Sequence, residues 1–288
     1  MDWVNTIVQG MLTGGLFALF ATGLSLIFGV MRLVNIAHGD LIVLSSFVAL
    51  VIVESLGFHA LASLALVVPI MFAVGYVLQR GVLNFTLGED ILPPLLVTFG
   101  LSIIIQNALL QSFSADSRRL KAGWLETASI PIAEGLAVGV FPLIVFVSAV
   151  VVIGTLQAVL YATEIGRVFR ATSDNQEVAR LMGIDTRHVF GLAMAIALAV
   201  VAVAGVFLSI RTNFDPSVGP ARLLFGFEAV IIGGLGSLWG TLAGGVILGV
   251  AQAIGAKLNP GWQILAGHVA FMIVLVLRPN GLFPRVQE

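Results

Sequence analysis

Seven stretches of this chain, roughly residues 3–31, 55–79, 91–115, 135–163, 189–210, 229–256 and 258–277, carry no charged side chain. Each supplies the ~20 apolar residues with which an α-helix crosses the hydrocarbon core of a bilayer. A shorter run, 41–53, completes another span. The runs are apolar on every side, which excludes the polar-apolar alternation of a membrane β-strand and leaves helices to satisfy the backbone. Only 10% of the residues are charged and 59% are hydrophobic, whereas soluble domains carry about 25% charged residues. The sequence therefore specifies an all-α polytopic membrane protein. The first run is preceded by Asp2 and no basic residue and is longer than a secretory signal, so it is expected to remain as the first span.

Spans are expected at about 4–30, 40–55, 58–79, 95–113, 136–161, 189–210, 223–235, 239–256 and 262–277: nine crossings, the seventh short and some broken. Gly10 and Gly14 have GxxxG spacing, and Gly236, Gly240 and Gly244 form one small-residue row beside a second made by Gly245 and Gly249. Such rows let helix backbones approach closely, so the first span should be packed and the penultimate one packed on two sides. Gly233, Gly234 and Gly236 predict a bend or break. The segment 31–40, MRLVNIAHGD, interrupts apolar sequence with Arg32, Asn35, His38 and Asp40. It is either a broken helix whose polar groups line a solute path, with Asn35 and His38 as candidates, or an ordinary polar turn. Glu228 is an acid between two apolar runs, which places it inside the bundle, as a third path residue or as a partner of Arg222. Residues 114–135 read as an exposed loop with a small amphipathic element around Trp124.

Residues Glu164–Arg187 hold eight of the chain's 29 charged residues and belong in water. Ser173 as cap, Gln176 as its capping-box partner and Gly183 as a left-handed stop predict a short helix between them. Val178, Leu181 and Met182 share one face of that helix, bordered by Asp174, Glu177 and Arg180. The apolar face either docks on a partner or folds back on the chain's own bundle.

Several chemistries are excluded or disfavoured. The chain has no cysteine, so disulfides and thiolate sites are absent. His38, His59, His188 and His268 include no pair with helical metal-site spacing, and no metal site is expected. Ser237 and His268 suggest an intramembrane serine hydrolase, but GLGSLWG is not the GxSxG turn that strains a nucleophile. Neither lysine follows a glycine, so there is no P-loop and the chain is not expected to be an enzyme. A net charge of −1 with one small basic cluster, Arg118, Arg119 and Lys121, offers nothing to nucleic acid. A stand-alone secondary transporter would need intramembrane carboxylates for its coupling ions, and Glu228 alone qualifies.

FGVMRLVNIAHGD, GRVFRATSDNQEVARLMGID, IIGGLGSLWGTLAGG and the tail RPNGLF together identify a resemblance along nearly the whole length. The chain resembles the permease subunits of bacterial branched-chain amino acid ABC importers of the LivH type. The resemblance implies a single transmembrane permease domain, 1–288, in two inverted-repeat halves: 1–161, a cytoplasmic coupling segment 162–187, and 188–288. It implies that Glu177, Val178, Arg180, Leu181, Met182 and Gly183 form the coupling surface for an ATPase. The expected partners are a second homologous permease subunit, two ATP-binding cassette subunits and a periplasmic substrate-binding protein, with ATP and magnesium held on the ATPases and no cofactor in this chain. The expected location is the bacterial inner membrane, N-terminus periplasmic and C-terminus cytoplasmic. That orientation puts eight basic residues on the cytoplasmic face against six elsewhere, a weak bias that Arg118, Arg119 and Lys121 oppose. Many branched-chain members carry a lysine shortly before the glycine-rich bend, where this chain has Phe225 and Glu228; relatives also serve urea, short amides and aromatic carboxylates.

Overall fold

The computed structural model describes residues 2–283 apart from 89, 91, 134 and 135, and apart from the side chains of 133 and 136. Arg285, counted above among the basic residues of one face, lies outside the described residues. The helices are α1 (Asp2–Met31), α2 (His38–Leu56), α3 (Leu64–Gly81), α4 (Leu92–Phe113), α5 (Trp124–Thr127), α6 (Val140–Ala162), α7 (Glu164–Asp174), α8 (Gln176–Leu181), α9 (Thr186–Arg211), α10 (Gly219–Gly233), α11 (Leu238–Leu258) and α12 (Gln263–Leu277). Strands β1 (Ser129–Ala133) and β2 (Leu136–Gly139) form an antiparallel hairpin before α6. Among the described residues, eight helical stretches are long and apolar enough to cross a membrane. With 15 residues, α10 spans only about 22 Å and falls short of the ~30 Å core. It takes the place of the short seventh crossing expected above, started four residues earlier, and is not one of the eight.

Glycine rows decide which helices touch. Helix α11 uses both of its rows: Gly245 and Gly249 meet α1 at Gly14 and Gly10, while Gly240 and Gly244 meet α10 at Gly233 and Ala229. Falling residue numbers on one helix face rising numbers on the other, so α11 is antiparallel to both. In a second cluster, α9 packs antiparallel on α3, with Gly75 against Met194 and Ala195 and Gly191 against Tyr76. The two clusters, each built from both parts of the chain, thus repeat one arrangement: α1 lies on α11 and α10, as α9 lies on α3 and α2. Lipid is as apolar as these side chains, so close backbone packing, more than the hydrophobic effect, holds them.

The chain then does something that hydropathy does not reveal. Helix α1 stops at Met31, and residues 32–37 return without helix until His38 lies against the Phe20 carbonyl, halfway back along α1. Phe20 lies about 16 Å from Met31 along the helix, within reach of six extended residues. From there α2 climbs beside α9, Ser45 and Ser46 donating to the Val201 and Gly205 carbonyls at 3.2 and 2.8 Å. After α9 the chain repeats the move in the opposite sense. Residues 212–218 return to half depth, and α10 starts with Gly219 against Gly39 and Asp40. The segment 31–40 is accordingly a broken helix that re-enters the bundle and not a turn at its surface.

The two ends of the bundle are marked by α8 and by the β-hairpin. At the α8 end, Ser173 donates to the Gly29 carbonyl (2.7 Å); at the hairpin end, Gln9 donates to Ala137 (2.8 Å). The loop at the hairpin end differs from expectation. Trp124 opens one helical turn, not an amphipathic helix, and β2 takes 136–139 from the expected span, since the β-branched Ile130, Ile132 and Val138 favour an extended pair. Its arginines close helix ends: Arg119 donates to the Ile210 carbonyl (3.0 Å) and to Glu126 (2.7 Å), and the Arg118 and Phe214 backbones pair. Cations at the C-terminus of α9 complement its dipole, a local reason for this basic cluster to oppose the charge bias of the other loops.

A side chain at Gly14 would meet the Val246 Cα at 2.5 Å, whereas Gly100 on α4 faces open space. Gly14→Val is expected to destabilise by about 1–3 kcal/mol or more and to lower the apparent Tm and the monodisperse yield in detergent. Gly100→Val, an equal change in volume, should leave both near wild type.

Candidate functional site

The half-depth junction brings two helix starts together around one acid. Asp40 lies in the first turn of α2 and is 2 % exposed. It accepts hydrogen bonds from Ser102 (2.5 Å) and Gln106 (3.0 Å), which project from one face of α4. Its carboxylate also rests directly on the Cα of Gly219, the first residue of α10, and the Gly219 carbonyl in turn occupies the space beside the Gly39 Cα. Glycine is required at both positions because a Cβ on either would overlap these atoms. A carboxyl group that faces the positive ends of two helices and is hydrogen-bonded from a third has its polar atoms answered where lipid offers nothing.

Asn35 and His38 belong to this junction. Both are fully buried; Asn35 Oδ1 accepts from the Ala37 N–H (3.0 Å) and His38 Nε2 donates to Phe20 O (2.9 Å). Asn35 Nδ2 and His38 Nδ1 have no partner among the described residues. Thr98 of α4 accepts from the Ile36 N–H (3.3 Å), so α4 holds the return segment at two points. Ser102 and Gln106, four residues apart in a span, were the missed signal: polar residues on one face of a membrane helix mark the side that meets another polar group.

Glu228 lies nine residues along α10 from Gly219. Its carboxylate is paired with His268 Nδ1 of α12, and not with Arg222 as one sequence-based expectation had it. Arg222 and Glu228 are six residues apart on a continuous helix, about 9 Å of rise and off one face, so they do not meet. The same contact removes His268 from Ser237, whose hydroxyl caps α11 by accepting from the Gly240 N–H (3.2 Å). No serine-histidine dyad is formed. None of Asn35, His38 and Glu228 lines the large cavity of about 790 Å³ at the α8 end.

The charged segment folds as two helices joined at a break. Extended backbone at Asn175 (φ −150°, ψ 106°) separates α7 from α8, and the Asn175 side chain caps α8 through the Val178 N–H (3.0 Å). This corrects the expected cap at Ser173, which lies within α7 and bonds instead to α1. Gly183 is the left-handed stop (φ 85°), and Ile184 N–H to Ala179 O (3.1 Å) with Gly183 N–H to Arg180 O (3.0 Å) completes a Schellman closure. Ala179 packs inward; Val178, Leu181 and Met182 are 53%, 81% and 78% exposed. Glu177 is also exposed, and Arg180 donates to Thr186 (3.0 Å) at the start of α9. Asp185 caps α9 through the N–H groups of Arg187 and His188. The His188 bond foremost, and the Arg80 guanidinium beside it, hold its carboxyl below the usual carboxylate range.

Two inverted sets of helices with starts meeting at half depth are an architecture of polytopic solute transporters. The chain belongs to the family described as the permease component of branched-chain amino acid transport systems, which it matches over residues 6–277. It is 28% identical to the high-affinity branched-chain amino acid transport system permease protein BraD of Pseudomonas aeruginosa, over 98% of this chain and 96% of that one. The same identity and coverage relate it to the permease protein LivH of Escherichia coli K12. LivM of that organism, a permease protein of the same description, is 25% identical over 42% of this chain and 28% of its own length.

Glu228 is buried, whereas its partner His268 is 36% exposed, so removing the histidine strands a buried acid. His268→Ala should destabilise by about 1–3 kcal/mol, the cost of an unsatisfied buried polar group, read as a lower apparent Tm in detergent. Adding Glu228→Gln to that variant should recover a substantial part of the loss. An equal Tm for His268→Ala and wild type would show that the pair contributes nothing.

Proposed function

We propose that this chain is the membrane-spanning permease subunit of an ATP-driven importer that carries a branched-chain or related amino acid across the bacterial inner membrane. The observation that carries the proposal is α8: a capped, stopped helix with three large apolar side chains in water, fixed to the bundle at both ends. Its shape suits an apolar groove on an ATPase subunit, with Glu177 and Arg180 at the rim. The solute class follows the descriptions of BraD and LivH. Urea, amides or aromatic carboxylates form a second reading, supported by Phe225 and Glu228 at the place of the lysine found in many relatives.

On this proposal the α8 end is cytoplasmic and the hairpin end, with the N-terminus, periplasmic. A second, related permease subunit of the LivM kind completes the transmembrane unit. Two ATP-binding cassette subunits hold ATP and magnesium, and a periplasmic binding protein delivers the solute. Asn35 and His38, whose free ring and amide nitrogens sit where the two halves meet, are the proposed path residues exposed when those halves part. Glu228 is assigned to the α10–α12 contact and reaches the solute only if that contact opens.

Leu181→Asp should place an unpaired charge in the ATPase groove and weaken assembly by more than about a hundredfold, or about 3 kcal/mol. Membrane level should stay normal because no span is touched, while uptake and co-purification of the ATPase are lost. Val178→Cys, a unique thiol in this cysteine-free chain, should crosslink to the ATPase. Normal uptake with full recovery of the complex in Leu181→Asp would refute the docking role.

A further inference from the structure

The α8 end contains a cavity of about 790 Å³ between the last turns of α1 and α6, α7 and the turn joining α10 to α11. Its lining includes Ser25, Arg32, Tyr161, Arg170, Asp174 and Trp239. We propose that it binds the phosphate headgroup of an anionic membrane lipid. The inference goes beyond the importer proposal and does not depend on the solute or on docking of α8.

Four features favour a phosphate. Two arginines face one aspartate, leaving the lining with net positive charge. Arg170 is fixed in place, bonded to the Leu160 carbonyl and stacked 5.1 Å over the Tyr161 ring. Arg32 is exposed, makes no ion pair among the described residues, and sits in a left-handed conformation (φ 53°) that is uncommon for a residue with a Cβ. The N-terminus of α11 also lines the cavity through Leu238 and Trp239, whose first-turn N–H groups have no intrahelical acceptor.

A further feature lies deep in the cavity. Ser25 is 1 % exposed, lines the wall, and its hydroxyl has no hydrogen-bond partner among the described residues. It lies about 9 Å along α1 from Met31, so the space extends well below the helix end. A buried hydroxyl without a partner costs free energy, and an acceptor oxygen from a ligand in the cavity would satisfy it.

The bilayer is the favoured source because exposed Tyr161 and Trp239 stand at the rim, as aromatic residues do at headgroup depth. A lipid phosphate between Arg32 and Arg170, with its acyl chains passing the aromatic rim, fits both the charge and the position. Free inorganic phosphate shares the headgroup chemistry without the chains. A bound lipid would bridge α1, α7 and α11, and so brace the helix that carries α8.

The test uses the purified full chain, or its complex, in detergent, titrated with phosphatidylglycerol, phosphatidylcholine or inorganic phosphate while the apparent Tm is followed. Phosphatidylglycerol should raise the Tm, with little effect from the other two. Arg32→Gln should weaken the apparent affinity about tenfold, the loss of one charge-assisted hydrogen bond, and Ser25→Ala should weaken it less. Arg167→Gln, on the outer face of α7, should leave it unchanged and so exclude a general charge effect. Arg170→Gln is less informative because it also removes the bond to Leu160. An Arg32-dependent shift with inorganic phosphate alone would overturn the lipid assignment. No effect of phosphatidylglycerol, or an effect that Arg32→Gln and Ser25→Ala leave intact, would overturn the site.

Discussion

The contact between the starts of α2 and α10 sets the rest of the structure, because it is where the chain's two halves touch in the middle of the bundle. Gly39 and Gly219 come together at backbone distance, and the Asp40 carboxylate lies across Gly219. A carboxylate at this depth is tolerable only with its charge answered. Here two helix dipoles, Ser102 and Gln106 answer it. Because two of those donors come from α4, the acid also fixes a helix that otherwise shows most of its surface to lipid. Glu228 does the same for α12 through His268. In each half, one buried acid on the helix that starts at half depth holds an outer span.

Around this junction, α1 and α9 are buried on nearly all sides, and glycine rows bring their neighbours close. The two rows on α11 explain its central position: one side of the helix belongs to α1 and the other to α10. The C-terminal segment adds a lock, since the Leu282 and Phe283 N–H groups donate to the Ile232 and Gly233 carbonyls, each at 2.9 Å. The free carbonyls at the end of α10 are thereby satisfied by the chain's own tail.

The segment from α7 to α9 is held in one shape because each of its joints is closed by specific bonds. Ser173 ties it to α1, Asn175 sets the break, the Schellman closure at Gly183 ends α8, and Arg180 reaches the start of α9. A helix of six residues has little stability alone. Its stiffness comes from these joints, which leave its apolar face free for a partner.

The sequence by itself determined that the chain crosses the membrane in helices, because charge-free runs of that length have no other way to satisfy their backbones. It also determined the two packing rows of α11, the break after Gly233 and the stop at Gly183, since glycine spacing and left-handed turns are local properties. Tertiary structure decided what those local signals leave open. The return of 32–37 to half depth depends on partners 60 to 180 residues away, such as Thr98 and Gly219, and polar residues in 31–40 are equally compatible with a surface turn. Glu228 chose His268 over the nearer Arg222 because proximity along a helix is not proximity in space. Asn175 took the cap from Ser173 because α7 runs on through Asp174, which leaves Ser173 with helical backbone and makes the extended Asn175 the residue that precedes α8.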